Sequence, residues 1–374
     1  MGPLAIVLFF VGLLVIILIH EAGHYAVARK LGFKVEEYFV GFGPRLWSFR
    51  RGEIEYGVKA LPLGGYVKIA GMNPYEPVAP EDLPRAYGSK PVWQRALVIF
   101  AGPGSHFIVG ALLFAIAVFI YGDPNTTAPV VGAIEQTIDG KPSPASTAGL
   151  RPGDVIIGAG AAQKPSLDQL RQITTAWATE HRGQPIEFTV QRGSQVIQVS
   201  MTPVLTKVAG KERGLVGFLP GMQKRGVIGS LAAGVGLVFH TIWDSLRQIG
   251  HIFGPQGIGR VFSLLFTNAP RQNTDATSVV GVGQQVGAVG AAGDWFTFIY
   301  ILAYVTVFIG LINLVPLPPF DGGHLGVLAL EKLRGKAIDV RKLIPVSAVV
   351  MGFFILFVLA TAFLDIVKPL PISP

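Results

Sequence analysis

The sequence predicts a polytopic α-helical membrane protein with four transmembrane helices, a β segment on the cytoplasmic side and an extracytoplasmic α+β domain. Half of the 374 residues are hydrophobic and only 14% are charged, whereas a soluble globule carries about a quarter. The apolar residues also gather into runs long enough to cross about 30 Å of hydrocarbon. No cysteine occurs, which removes disulfides, thiolate metal sites and cysteine nucleophiles from consideration. A formal charge of +8 would suit a polyanion. The Lys and Arg stand mostly beside the apolar runs, however, so a lipid bilayer is the partner they imply and no nucleic acid is expected.

The first span, residues 1–28, is apolar or Gly from residue 4 to 19 and continues through His20-Glu21-Ala22-Gly23-His24 to Ala28. With no Lys or Arg before Arg29 it lacks the basic start of a cleaved signal peptide and reads as a retained helix. Residues 29–95 are rich in Gly and aromatics, and Gly52-Glu53-Ile54-Glu55-Tyr56-Gly57-Val58-Lys59 alternates with the period of a strand. Residues 96–121 form the second span. From 128 to 205 come Ala148-Gly149-Leu150-Arg151-Pro152-Gly153-Asp154-Val155-Ile156, a capped helical pattern from Ser166 to about Glu180, and strands at 186–191 and 196–201, which together make an α+β domain.

Residues 206–294 read as a linker. Within it, 227–243 is apolar enough to raise the question of a fifth span. Asp244, Arg247 and His251 interrupt its continuation while Ile242, Leu246, Ile249 and Phe253 recur at helical spacing, so 227–254 is expected to lie on the outer surface as an amphipathic helix. Residues 268–293 show nothing beyond flexibility. The third span is 295–318 and the fourth 343–366. Ten Lys and Arg fall within 29–91 and five within 332–342, against fourteen in the much longer 122–294. That asymmetry puts 29–91 and the 332–342 loop in the cytoplasm, and both termini outside.

The HExxH at 20–24 sets two imidazoles one turn apart on one helix face, where both can bind a single Zn²⁺ with Glu21 beside the metal's open position. Ionisable groups near the end of an apolar helix are costly in lipid and by default mark a site facing the protein interior. The alternative, snorkelling toward Arg29 and Lys30, requires no particular spacing. Catalytic zinc usually takes a third protein ligand. Asp321 is the candidate, in Asn313-Leu314-Val315-Pro316-Leu317-Pro318-Pro319-Phe320-Asp321-Gly322-Gly323-His324. The prolines break the helix and the glycines permit close backbone approach, so Asp321 is expected on irregular chain at a membrane boundary. A solvated turn Asp is the alternative. With 227–254 on the surface, the first and third spans end on the same side and the three ligands can meet.

These motifs resemble the site-2 protease family of intramembrane zinc metalloproteases, and within it the bacterial regulator-of-sigma-E type with one PDZ domain. HExxH at 20–24, NxxPxPxxDG at 313–322, Leu63-Gly64-Gly65-Tyr66-Val67-Lys68 and Gly102-Pro103 carry the resemblance. It implies zinc held by His20, His24 and Asp321, Glu21 as general base, and Asn313 helping to hold the unwound substrate. It also implies a membrane-associated β hairpin whose edge, at Gly64, Gly65 and Tyr66, pairs with an extended substrate. Where relatives often carry Asn three residues after the Gly-Pro, this chain has His106, either a substituted hydrogen-bonder or a core histidine. The AGLxPGDxI segment and its element order look like a PDZ domain, which either binds a peptide at a sheet edge or serves as a folded spacer.

By resemblance the protein is an endopeptidase of the bacterial inner membrane, active near the cytoplasmic side on transmembrane helices of single-pass proteins such as anti-sigma factors or remnant signal peptides. A non-proteolytic tether that gathers extracytoplasmic partners through the PDZ-like domain stays open as an alternative. A zinc transporter is weaker, since it leaves Glu21 and the β segment unexplained.

Overall fold

The computed structural model describes residues 2–370 except 74, 209–210, 273, 337 and 339. Two units make up the chain, one from residues up to 114 and from 234 onward, the other from 115–233. The first begins with α1 (Gly2–Lys30), β1 (Val35–Arg51), β2 (Ile54–Ile69) and most of α2 (Val92–Tyr121). The second holds β3 (Val130–Ile134), β4 (Thr137–Ile138), β5 (Lys141–Pro142), α3 (Pro144–Thr147), β6 (Val155–Ala159), β7 (Ala162–Gln163), α4 (Leu167–Glu180), β8 (Ile186–Arg192), β9 (Gln195–Met201), β10 (Val204–Val208), β11 (Lys211–Leu215) and β12 (Phe218–Gly221). The first unit resumes within α5 (Val227–Phe253) and continues with α6 (Pro255–Phe266), α7 (Val279–Ala292), α8 (Trp295–Asn313), α9 (Asp321–Arg334) and α10 (Ile344–Val367).

Among the described residues five helices are long and apolar enough to cross a membrane: α1, α2, α5, α8 and the Arg341–Val367 stretch that contains α10. An uninterrupted apolar run forms a helix in lipid because only then does every backbone group find a partner within its own segment. α1 and α8 run in the same direction, with Gly12 against Leu302 and Phe9 and Phe298 in one cluster. α2 runs opposite to both, with Gly110 against Val307 and Phe114 packed edge-on to Tyr300 at 4.9 Å.

β1 and β2 are long, bulged and antiparallel, and they fold back on themselves. Residues 37–40 of β1 pair with 65–68 on one edge and with 55–58 on the other. The 65–69 segment therefore has one edge that pairs with no strand among the described residues. Tyr38 Oη donates to the Leu18 carbonyl at 3.2 Å, and the Tyr25 and Tyr56 hydroxyls meet at 2.5 Å. These contacts fix the sheet against the end of α1 that carries the HExxH.

In the second unit the strands lie in the order β12-β3-β6-β8-β9, with β7 paired to β6. Ser166 caps α4 in a reciprocal box with Gln169. That helix and strands β6, β8 and β9 stand where alternation and the cap put them. The core is Val131, Leu150, Ile156, Leu170, Phe188 and Val190 with their neighbours. Asp154, 1% exposed, takes two bonds from the Arg192 guanidinium at 2.9 and 2.7 Å and one from the Arg151 N–H at 2.9 Å.

The structure differs from the sequence-based expectation at four places. Residues 206–226 are not plain linker: β10 and β11 form a hairpin, and β12 joins the sheet edge beside β3. That pairing spans more than eighty residues, so local pattern gave no sign of it. Residues 227–254 form one helix over Val227–Phe253, but it is not a helix lying apart on a surface. Its Leu237, Val238, Thr241 and Ser245 are buried. Gln248 accepts from Tyr304 Oη at 2.9 Å, and Phe253 packs on Phe353, Phe354 and Phe357 of α10. An apolar stripe at helical spacing fits a lipid surface or a neighbouring helix equally well.

Residues 268–293 are not featureless either, because they include α7, rich in Gly, Ala and Val. Gly is a poor helix former in water, but small residues let membrane helices touch closely. Gly283 lies against Phe10, and Gly287 against Ile6 and Gly2, so α7 runs opposite to α1. Finally, Asp321 does not sit on irregular chain. It is the first residue of α9, where a carboxylate is favoured by the helix dipole.

Burial opposes ionisation of Asp154, but the Arg192 and Arg151 bonds prevail and hold its carboxyl below the ordinary range. A depressed carboxylate adds stability above its unfolded value of about 3.9, and that stability is lost as pH falls through the folded value. Asp154→Ala should therefore cost the second unit about 3 kcal/mol at neutral pH and less in acid. Hydrogen exchange of the β6 and β8 amides in the full-length protein measures both.

Candidate metal centre

His20 and His24 lie on one face of α1, at 8% and 9% exposure. The turn after α8 returns Asp321 to them. His20 Nε2 is 3.1 Å from His24 Nε2, and Asp321 Oδ2 is 3.3 Å from the first and 3.5 Å from the second. The three are the group of ligand-type side chains close enough to share one metal ion among the described residues. Two nitrogens and an oxygen about 2.0–2.1 Å from a tetrahedral zinc stand about 3.3 Å apart. The donor set thus fits the ion in both chemistry and spacing.

The far nitrogens of the two imidazoles are held as well. His24 Nδ1 donates to the Val98 carbonyl of α2 at 2.8 Å, which leaves Nε2 as a lone pair for the centre. Glycines make room for this arrangement. A Cβ on Gly23 would strike the Ala101 carbonyl, and one on Gly102 would strike the His24 ring and come within 2.8 Å of His20. Gly322 and Gly323 are packed just as tightly against the backbone of Leu314, Val315, Leu317 and Pro318. Both must be glycine for the chain to bring Asp321 back.

Glu21 faces the β sheet. A Cβ on Gly65 would be 3.2 Å from Glu21 Cγ, and the Val67 backbone amide lies against the carboxylate. Gly64, in a positive-φ conformation at 153°, Gly65 and Tyr66 thus border the site along the free edge of the 65–69 segment. Tyr66 donates its hydroxyl to Glu37 Oε2 and stacks on Phe39 at 5.7 Å. Burial and that bond raise its phenol above the usual range, so it stays a proton donor. Asn313 is the last residue of α8, eight residues before Asp321, and its side chain makes no hydrogen bond among the described residues. The residues singled out from the sequence thus fall on α1 (His20, Glu21, His24), β2 (Gly64, Gly65, Tyr66), the end of α8 (Asn313) and the start of α9 (Asp321), with His106 on α2.

Two further residues belong to this neighbourhood. His106 of α2 reaches His20 Nδ1 at 3.1 Å. The sequence left this residue, three positions after Pro103, as either a hydrogen-bonder or a core histidine. His324 follows Asp321 by three residues on α9, and lines a cavity of about 240 Å³ with Pro318, Pro319, Tyr75 and Ser347. Helical spacing from Asp321 was the available signal for it.

Residues 8–359 match the family described as peptidase family M50. The chain belongs to peptidase family M50. This M50 chain is 34% identical to the zinc metalloprotease Rip1 of Mycobacterium tuberculosis, over 98% of each chain. It is 33% identical to Rip1 of Mycolicibacterium smegmatis, over 100% of this chain and 99% of the relative. It is 28% identical to the metalloprotease MmpA of Caulobacter vibrioides, over 87% and 85%. It is a zinc metalloprotease of the site-2 protease type and a multi-pass membrane protein, and Zn²⁺ is its metal. The tether and transporter alternatives give way to this activity.

Gly102→Ala should displace the His24 and His20 rings and lower zinc affinity at least tenfold. The zinc retained by the purified protein against a graded chelator checks this. Undiminished retention would mean that the α1–α2 contact does not shape the site.

Proposed function

We propose that this M50 protease cuts transmembrane helices of single-pass membrane proteins within the bilayer, with anti-sigma factors and remnant signal peptides as the substrate class. The observation that carries the reading is the meeting of His20 and His24 of the apolar α1 with Asp321 of α9, with Glu21 next to His20 in the chain, beside a sheet edge that is unpaired among the described residues. Ionisable groups on an apolar helix are costly unless they serve a site.

In this reading His20, His24 and Asp321 hold the zinc. Zinc, when bound, supplies Lewis-acid activation of water and of the scissile carbonyl. The Glu21 carboxylate takes a proton from the attacking water as its oxygen bonds to the carbonyl carbon. It then delivers that proton to the amide nitrogen as the C–N bond breaks. A peptide bond inside a helix is shielded, and unwinding it in lipid exposes backbone groups that cost several kcal/mol each unless paired. The 65–69 edge can pair them as an added strand, and the free amide of Asn313 can hold one carbonyl or N–H of the opened turn.

We further place the site near the cytoplasmic face and the second unit, as a PDZ-like domain over 128–205, outside. The charge asymmetry supports this, and so do the helix directions. α5 runs with α8, since Gln248 meets Tyr304 and Asp244 acts on Tyr300. α7 runs back against α1. The α5–α7 excursion then enters and leaves by the same face, which keeps α8 ending on the same side as α1. The sheet edge of the PDZ-like domain offers a place for a peptide, and a spacer role is the other reading.

Glu21→Gln should keep its zinc and fold yet lose cleavage by about 10²- to 10⁴-fold, read on a panel of single-span substrates. Normal turnover would end the proposed mechanism. Asn313→Leu should slow cleavage of stable substrate helices and be partly rescued by Gly or Pro near the scissile bond, with zinc content unchanged. Equal slowing of stable and weakened helices would remove Asn313 from substrate handling. Single cysteines at Arg182 and at Lys336, in this cysteine-free chain, should label from opposite sides of the membrane. Labelling from one side would break the topology.

A further inference from the structure

We propose that His106 is the positioning residue for His20, holding it in the tautomer that turns Nε2 to the metal. The inference rests on the reading of His20 as a zinc ligand. His20 Nε2 faces the centre, 3.1 Å from His24 Nε2 and 3.3 Å from Asp321 Oδ2. A nitrogen that ligates must present a lone pair, so the ring proton of His20 resides on Nδ1. A buried N–H needs an acceptor. Nδ1 has one at 3.1 Å, the Nε2 of His106. His106 must then carry its own proton on Nδ1. That atom makes no hydrogen bond of full geometry among the described residues, and the Thr306 backbone of α8 is the polar group beside the ring.

The reverse proton arrangement fails. If His106 donated from Nε2, His20 would be protonated on Nε2 and would point that hydrogen at the metal position. His106 is also held in place. It is 1% exposed, and its ring lies 5.0 Å from that of His20 at a 57° tilt. Opposite it on α8 stands Gly310, where a Cβ would be 2.6 Å from His106 Cβ. A side chain at 310 would thus push the imidazole away from its partner. His24 finds its orienting acceptor in a backbone carbonyl, whereas His20, deeper in α1, has this one side chain.

Partners that orient a metal-bound histidine typically contribute 10- to 100-fold in metal affinity. The test uses the purified full-length protein in four forms, wild type, His106→Gln, His106→Leu and His106→Met, with His20→Ala as the ligand control. Gln places its amide oxygen as many bonds from Cβ as the histidine Nε2, so it preserves the acceptor. Leu and Met fill the space without one. Zinc dissociation constants from chelator competition should rise 10- to 100-fold for Leu and Met and stay within about threefold of wild type for Gln. The visible spectrum of the Co²⁺-loaded protein, which reports ligand geometry, should shift for Leu and Met only. Wild-type affinity in either apolar variant would overturn the proposal. So would a loss in Gln as large as in Leu and Met, which would mark a packing role. If the apolar variants fail to fold, a tenfold or greater loss in Gln still overturns the proposal. His20→Ala retaining tight zinc would instead overturn the ligand assignment, a failure distinct from that of His106.

Discussion

Imidazoles on α1 and a carboxylate from the α8–α9 turn can surround one ion only if the helices that carry and brace them approach more closely than ordinary side chains allow. Gly23 and Gly102 permit that approach between α1 and α2, where any Cβ would enter the Ala101 backbone or the His24 ring. Gly322 and Gly323 do the same for the turn that returns Asp321. The polar groups of the site, each expensive alone in an apolar setting, become mutual partners at about 3 Å. The small residues set the geometry, and the geometry makes the buried polarity affordable.

A second buried polar knot stands away from the metal and follows the same logic. Asp365 of α10 is fully buried. It accepts from Arg271 at 2.7 Å, from the Ser278 N–H and hydroxyl at 2.7 Å, and from the Gly281 N–H at 3.1 Å. It serves as the anion at the start of α7, where unpaired N–H groups favour negative charge. Gly281, too, must be small, since a Cβ there would be 2.7 Å from the carboxylate. The knot ties the end of α10 to the start of α7, and α7 lies along α1. The N-terminal half of the helix that carries His20 and His24 thus packs on a helix whose start this buried ion pair holds.

The β sheet joins this framework to chemistry. It is anchored by hydroxyls to α1 at Leu18 and Tyr25, and one of its segments runs beside Glu21 with an edge that is unpaired among the described residues. Fixing an edge and a proton acceptor side by side suits a reaction in which a helix must be opened before it can be cut. A free strand edge is normally a liability. Beside a protease site it is the feature that can engage an unwound chain.

The sequence by itself determined the class of molecule and the core of its chemistry. Runs of apolar residues near the bilayer's length make membrane helices whatever their neighbours, and HExxH at helical spacing already sets two candidate metal-binding imidazoles one turn apart with a carboxylate beside them. Asp321 was legible through the proline break and the paired glycines, although not its position at the start of a helix. Only tertiary structure decided the rest. Whether the apolar stripe of α5 meets lipid or protein depends on what stands opposite it, which periodicity does not encode. α7 is a helix because α1 is there to pack its glycines against. β12 is a strand because β3, far earlier in the chain, offers an edge. His106 acquires a role only when α2 crosses α1 at His20. Each of these depends on a partner distant in sequence, and short-range patterning records the periodicity of a segment but not the identity of what it will touch.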